Sequence, residues 1–205
     1  DFGQVISDNK INNLTPFDIQ FQENRPFFTE GTELFNKAGI FYSRRVGRTP
    51  GRFAMISETY GADENYTIKK NPAITPLFNA IKFSGRNKHN LGIGIFNAVA
   101  QPVDAIIRNE ISGNDSIIRT EHLSNYNIVV LDKALRNRSY ISFTNTNVWR
   151  SGSSPDANVS AIDLGLYTPD NRYSFLFKPR FSKITGANGR EGWANIISFG
   201  KVSFK

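Results

Sequence analysis

The segment Arg44-Arg45-Val46-Gly47-Arg48 is the densest run of positive charge in the chain. A guanidinium is a planar fork that holds a carboxylate or phosphate through two parallel hydrogen bonds. Arg44, Arg45 and Arg48 are therefore the candidate ligand-binding residues. If Phe41 to Arg45 forms a strand, Arg44 and Arg45 point to opposite faces, and only one of them joins Arg48 on a given side. The competing role is structural: the arginines pair with Glu23, Glu30 or Glu33 and pin the N-terminal segment in place.

Glu23, Glu30, Glu33 and Asp163 are the carboxylates from which a glycoside hydrolase would draw its acid/base pair. No motif flanks them, so no catalytic residue is assigned and an enzyme is not expected. His89 and His122 fall in or beside expected turns, and neither has a histidine or carboxylate four residues on. They read as surface residues, and no metal or cofactor is expected. Gly92-Ile93-Gly94 lacks the third glycine of a dinucleotide fingerprint and lies inside a strand pattern. Zero cysteines remove a disulfide scaffold, a thiolate metal site and a Cys nucleophile together.

The charge balance narrows the partners. With 25 Lys and Arg against 18 Asp and Glu the net charge is +7, which favours anionic lipid headgroups or anionic glycans. Away from Arg44 to Arg48 the cations are scattered rather than striped, so nucleic acid is not an expected partner. No window of 18 consecutive apolar residues occurs, so no transmembrane helix is expected. Seventeen Phe and seven Tyr beside one Met is a composition suited to strands.

The elements that must carry these groups divide at about residue 75. Residues 1–75 keep no sustained period. Thr29 to Ala38 is helix-like, short strands are expected near Phe41 to Arg45 and Phe53 to Thr59, and the whole reads as an irregular plug or rim segment. Residues 76–205 alternate with period two, as strands do. Leu91, Ile93 and Ile95 face away from Gly92, Gly94 and Phe96, and the glycines imply a crowded inner face or a bend. Ile162, Leu164 and Leu166 face away from Ala161, Asp163, Gly165 and Tyr167. Turns at Gly85 to Asn90, Ser112 to Asp115, Asn137, Ser151 to Asn158, Pro169 to Asn171 and Gly186 to Gly189 separate eight or nine strands of about 8 to 12 residues. That length suits a tilted membrane strand of about 9–11 residues better than a soluble sheet. Trp193 to Phe204 breaks its alternation, which implies a bulge or burial on both sides. Tyr42, Tyr60, Tyr126, Tyr140, Trp149, Tyr167, Tyr173 and Trp193 lie near strand ends, as interfacial aromatic girdles do. A sugar-stacking platform or a sandwich core would use the same residues.

Asp1-Phe2-Gly3-Gln4-Val5, Asn13-Leu14, Phe17, Phe21, Glu23 to Gly31 and Phe41 to Arg48 form a dense N-terminal pattern. It resembles the β-barrel domain of unknown function that follows a family 9-like carbohydrate-binding module in many Bacteroidetes envelope proteins. The match is specific over the first 50 residues and thematic beyond them. The resemblance implies an all-β, antiparallel outer-membrane β-barrel, or part of one, cut from a longer chain. Glu23, Arg25, Pro26, Phe27 and Phe28 then serve as a packed plug or docking segment. The expected role is transport, docking or assembly of envelope components, with glycans among the candidate cargoes. The expected partners are outer-membrane lipid and glycans or other envelope proteins. The rivals are a soluble carbohydrate-binding β-sandwich and a glycoside hydrolase.

Overall fold

The computed structural model of the protein describes residues 23–186 and 189–202. Asp1 to Gln22 of the N-terminal pattern lie outside the described residues, as do Ala187 and Asn188 of the last expected turn. The chain forms two compact units. One comprises residues 1–32, 42–77 and 100–121, the other residues 33–41, 78–99 and 122–205.

In the first unit α1 (Pro26–Thr29) starts with proline at its first turn, where the missing N–H costs nothing. The expected strand at Phe41 to Arg45 is instead a 3₁₀ turn, Ser43–Arg45. The expected strand at Phe53 to Thr59 is helix α3 (Phe53–Tyr60). Its apolar positions Phe53, Ile56 and Tyr60 recur at helical rather than strand spacing. Ile56 is fully buried with Ala105 and Ile107, against Tyr60, Tyr66, Ile68 and Ile118. Apart from Tyr60, which belongs to α3 itself, those partners come from a three-stranded antiparallel sheet in the order β1 (Tyr66–Lys70), β4 (Val103–Asn109), β5 (Asp115–Glu121). β1 lies before the expected division at residue 75.

The second unit carries α2 (Glu33–Asn36) and a nine-stranded sheet. Its strands are β2 (Leu77–Arg86), β3 (Leu91–Ala100), β6 (Ser124–Ala134), β7 (Tyr140–Arg150), β8 (Asp156–Tyr167), β9 (Tyr173–Phe177), β10 (Arg180–Thr185), β11 (Arg190–Ala194) and β12 (Ile197–Lys201). β8 pairs through its first half with β10 and through its second half with β9. β11 and β12 continue the pattern beside them. Two breaks therefore face each other, Lys178-Pro179 and Asn195-Ile196. They stay joined by backbone bonds of 2.9 and 3.2 Å between Lys178 and Ile196. The break in the alternation of the last strand falls here, opposite a proline that has no N–H to give. Among the described residues the sheet is open, running from β2 at one edge to β11 and β12 at the other. The chain is thus all-β and antiparallel in its sheets, but among the described residues no sheet closes into a barrel.

The alternation sorts the side chains of this sheet in an inverted way. The packed face carries Ser124, Asp132, Ser142, Thr144, Ala161 and Asp163, all buried, with Phe96, Ile128 and Val130 as its larger apolar members. The opposite, open face carries Ile95, Val129, Leu131, Ile141, Phe143, Ile162, Leu166, Phe181, Trp193, Ile197 and Phe199, all exposed.

Candidate functional site

Residues 33–41 cover the packed face. Leu34, Phe35 and Ala38 are buried there, and Phe41 packs edge-on to Phe35 and tilted against Phe96 at ring distances of 6.5 and 5.6 Å. The glycines of β3 make this approach possible. A Cβ at Gly92 would stand 3.0 Å from Leu34, and one at Gly94 3.2 Å from Phe35 and 3.4 Å from Val130. The crowded inner face expected from these glycines is therefore what the segment fills.

Charge fastens the same segment. Lys37 Nζ lies 2.8 Å from Asp132 Oδ2, which also accepts from Arg86 Nη2. Arg180 Nη2 donates to the Ala38 carbonyl at 3.2 Å and to Asp163 Oδ1 at 2.6 Å. Asp132 Oδ1, Ser142 Oγ and Thr144 Oγ1 are buried with no partner among the described residues, a group polar enough to hold ordered water.

The open face is banded along the strands. Register places Leu131, Phe143 and Ile162 in one row. Ile141, Leu164, Phe177 and Ile197 form the next, and Leu166, Phe175 and Phe199 a third. The Phe175 and Phe199 rings lie 5.0 Å apart. Toward the other end of the strands the same face turns to amides. Asn127, Asn147 and Asn158 share a row. Asn97 donates to Asn125 and Asn127 at 2.6 and 2.7 Å, Asn127 to Asn147 at 3.1 Å, and Asn145 to Ser160 at 2.8 Å. Each amide is half-buried and spends its hydrogen-bonding capacity on its neighbours. Trp149 and Trp193 stand exposed at 56% and 76% on this side of the apolar rows.

The residues singled out from sequence are distributed as follows. Arg25 and Glu23 form a near-buried fork: Nε to Oε1 at 2.8 Å and Nη2 to Oε2 at 2.7 Å. Arg25 also donates to the Val46 and Ser43 carbonyls at 2.8 and 2.9 Å, and its guanidinium sits 4.0 Å from the centre of the Phe28 ring. Ser43 Oγ donates to Glu23 Oε2 at 2.5 Å. Burial pushes the Glu23 carboxyl up, but the Arg25 and Ser43 donors prevail and hold it at about 2. The fork thus clamps the 3₁₀ turn, whose residues Arg44 and Arg45 are half-buried and exposed. Arg48 is exposed, and Gly51 lies between it and Glu121: the Gly51 N–H donates to Glu121 Oε2 at 2.8 Å. Phe27 meets Phe28 edge-on at 5.2 Å. Because Ser43 to Arg45 is a turn, the strand argument that set Arg44 and Arg45 on opposite faces does not apply.

Among the hydrolase candidates, Glu30 and Glu33 are exposed, Glu23 is locked by Arg25, and Asp163 is locked by Arg180. Asp132, which the sequence did not single out, is the carboxylate that joins Asp163. Its visible signal was a charged residue between Val130 and Ala134 on an alternating strand. Of the eight aromatics near strand ends, Trp149, Tyr173 and Trp193 reach the open face. Tyr60 instead packs on the core of α3, with its ring 5.2 Å from Tyr66, and Tyr140 packs over Gly165 on the buried side of the sheet. The Asn ladder was legible only as a repetition of asparagines two apart, Asn125/Asn127 and Asn145/Asn147.

A family model described as a domain of unknown function, DUF5916, matches residues 1–205. No curated protein and no solved structure matches the chain.

Proposed function

The chain belongs to the DUF5916 family, a domain of unknown function, and from that premise we propose that it is a segment of an outer-membrane β-barrel whose open sheet face meets lipid. One observation carries this reading. The sheet buries its small and polar positions and exposes its branched and aromatic ones. A soluble sheet does the reverse, and a water-exposed protein rarely leaves a contiguous apolar face of several strands uncovered. A membrane barrel has apolar residues outside and polar residues within, and here the polar side is filled by residues 33–41 acting as a plug. The strands of 10 to 12 residues, β2, β3, β6, β7 and β8, have the length that a tilted crossing needs. The role that follows is transport, docking or assembly at the cell envelope, with the plugged side as the place where cargo or a glycan is held. Catalysis forms no part of this reading, because Asp132 and Asp163 are each tied to cations that anchor the covering segment.

A second reading rests on the height of the apolar band. At about 3.3 Å per residue, Ile162 to Leu166 rises about 13 Å and Phe175 to Phe181 about 20 Å, less than the ~25 Å band of known barrels. A face of that height also suits a further sheet or another envelope protein, as in the soluble sandwich. Membrane fractionation of the full-length protein, followed by a heat-modifiability gel, separates the two. Recovery in the outer membrane with a heat-dependent mobility shift supports the barrel. A soluble protein without a shift overturns it and places the sandwich first.

A further inference from the structure

We propose that one end of the large sheet, formed by its β2–β3, β6–β7 and β8–β9 turns, binds the headgroups of an anionic phospholipid leaflet. The proposal rests on the membrane reading above and adds which lipid chemistry the protein selects, and at which end.

The charge distribution carries it. Lys88 lies in the β2–β3 turn, Arg136 and Arg138 in the β6–β7 turn, and Arg172 in the β8–β9 turn, all exposed. Lys133 and Lys201 stand at the adjoining strand ends. Against these six cations the three turns hold a single carboxylate, Asp170, 3.6 Å from Arg172. Asp132, the nearest strand carboxylate, points to the packed face and is spent on Lys37 and Arg86. The opposite end is close to balanced. There Lys183 pairs with Glu191 at 2.8 Å, and Asp156 accepts from the Arg150 backbone at 2.6 Å.

Backbone and ring geometry present the cations outward. Asn137 and Arg138 both have positive φ, 55° and 61°, so an arginine occupies a left-handed position that glycine or asparagine fills more easily. Folding alone gives no reason for arginine there. Its guanidinium lies 5.5 Å from the Tyr167 ring centre, and Lys201 Nζ lies 5.9 Å from that of Tyr173. Tyr173, which carries Lys201 at the rim of the apolar face, is suited to the boundary between acyl chains and phosphates, while Tyr167 holds Arg138 at the same end on the packed side. Beside Arg172 and Lys201 a groove of about 320 Å³ opens between Leu166, Tyr173, Phe175 and Phe199. It offers apolar walls to a chain whose phosphate the two cations would hold.

The experiment uses the full chain with vesicles of phosphatidylcholine alone and vesicles containing about 30% phosphatidylglycerol. The triple variant Lys88→Gln, Arg136→Gln, Arg172→Gln is compared with Lys183→Gln, Arg190→Gln from the opposite end. At roughly fivefold per basic residue near a charged surface, the triple variant should lose roughly 100-fold in partitioning to the anionic vesicles. Its partitioning to phosphatidylcholine should be unchanged, and the control should keep the preference of the parent. Equal partitioning of parent and triple variant to both vesicles overturns the headgroup site while leaving the membrane reading intact. Association of the parent with neither vesicle overturns the membrane reading itself. Loss of binding in inorganic phosphate, beyond that in chloride of equal ionic strength, would assign the end to free phosphate and overturn the lipid assignment.

Discussion

Asp132 and Asp163 stand in one cross-strand row, separated by Ser142, and each is held by a cation that also fastens the segment above it. Lys37 belongs to that segment, and Arg180 reaches its backbone at Ala38. The row is therefore a latch between a sheet and residues about a hundred positions earlier in the chain. Asp132→Asn should loosen it. Lys37 and Arg86 are each about a third exposed, 32% and 33%, and can turn to water. The expected cost is accordingly about 1–3 kcal/mol rather than that of a fully buried pair. Urea titration of the variant checks this, and limited proteolysis near Gly39 should accelerate in parallel.

The Glu23–Arg25 fork makes stability depend on acid. The Glu23 carboxyl sits at about 2 in the fold against an ordinary value of 4.5. A depressed carboxylate contributes stability above its unfolded value, and that contribution is lost as pH falls through the folded one. Between pH 5 and pH 2 the fold should therefore lose up to about 3 kcal/mol from this group. Urea midpoints measured across that range should fall steadily. In Glu23→Gln the starting stability should be lower and the slope shallower, and an unchanged slope would show that the fork is not the titrating element.

Gly165 is the point on β8 over which Tyr140 lies, and any Cβ there runs into the Tyr140 ring. Gly165→Ala should destabilise the sheet by about 1–3 kcal/mol through overpacking. Tyr140→Ala in the same chain should recover part of the loss, because it removes the clashing ring. A thermal melt of the two single variants and the double tests the coupling.

The open face gives the sharpest discrimination between surroundings. Phe143→Arg should change stability by less than about 0.5 kcal/mol if that face meets water. The same change should cost about 2–4 kcal/mol near a bilayer midplane. Leu164→Arg, in the neighbouring row, should behave in parallel. Folding titrations in detergent-free buffer and in lipid, run side by side, give both numbers.

The period-two pattern after Pro76 made the strands of the large sheet legible, because alternation is a property of each strand alone. It could not say which face would be packed. Ile162, Leu164 and Leu166 read as a core face as easily as a lipid face. The choice is made by Phe35, Lys37 and Phe41, whose approach to the sheet no local pattern encodes. Gly92 and Gly94 did announce a crowded side. The helix at Phe53–Tyr60 was hidden because Phe53, Met55 and Ser57-Glu58-Thr59 satisfy a short strand as well as a helical turn, and burial of Ile56 decides between them. Arg25 was recognisable as unusual, but its partners Ser43 and Val46 lie some twenty residues on, at a turn that read as a strand.

The inverted sheet also has a consequence for how the chain must be handled while it is being made. Ordinary collapse in water would draw Phe143, Ile162, Phe175 and Phe199 together and leave Asp132, Ser142 and Asp163 wet, which is the wrong side out. The chain is most self-adhesive in the interval between synthesis and its final surroundings, since its open rows and the exposed Phe78, Ile81 and Phe83 of β2 match copies of themselves. Its yield should therefore be governed by concentration and by holding factors that shield extended chains, more than by the stability of the finished fold.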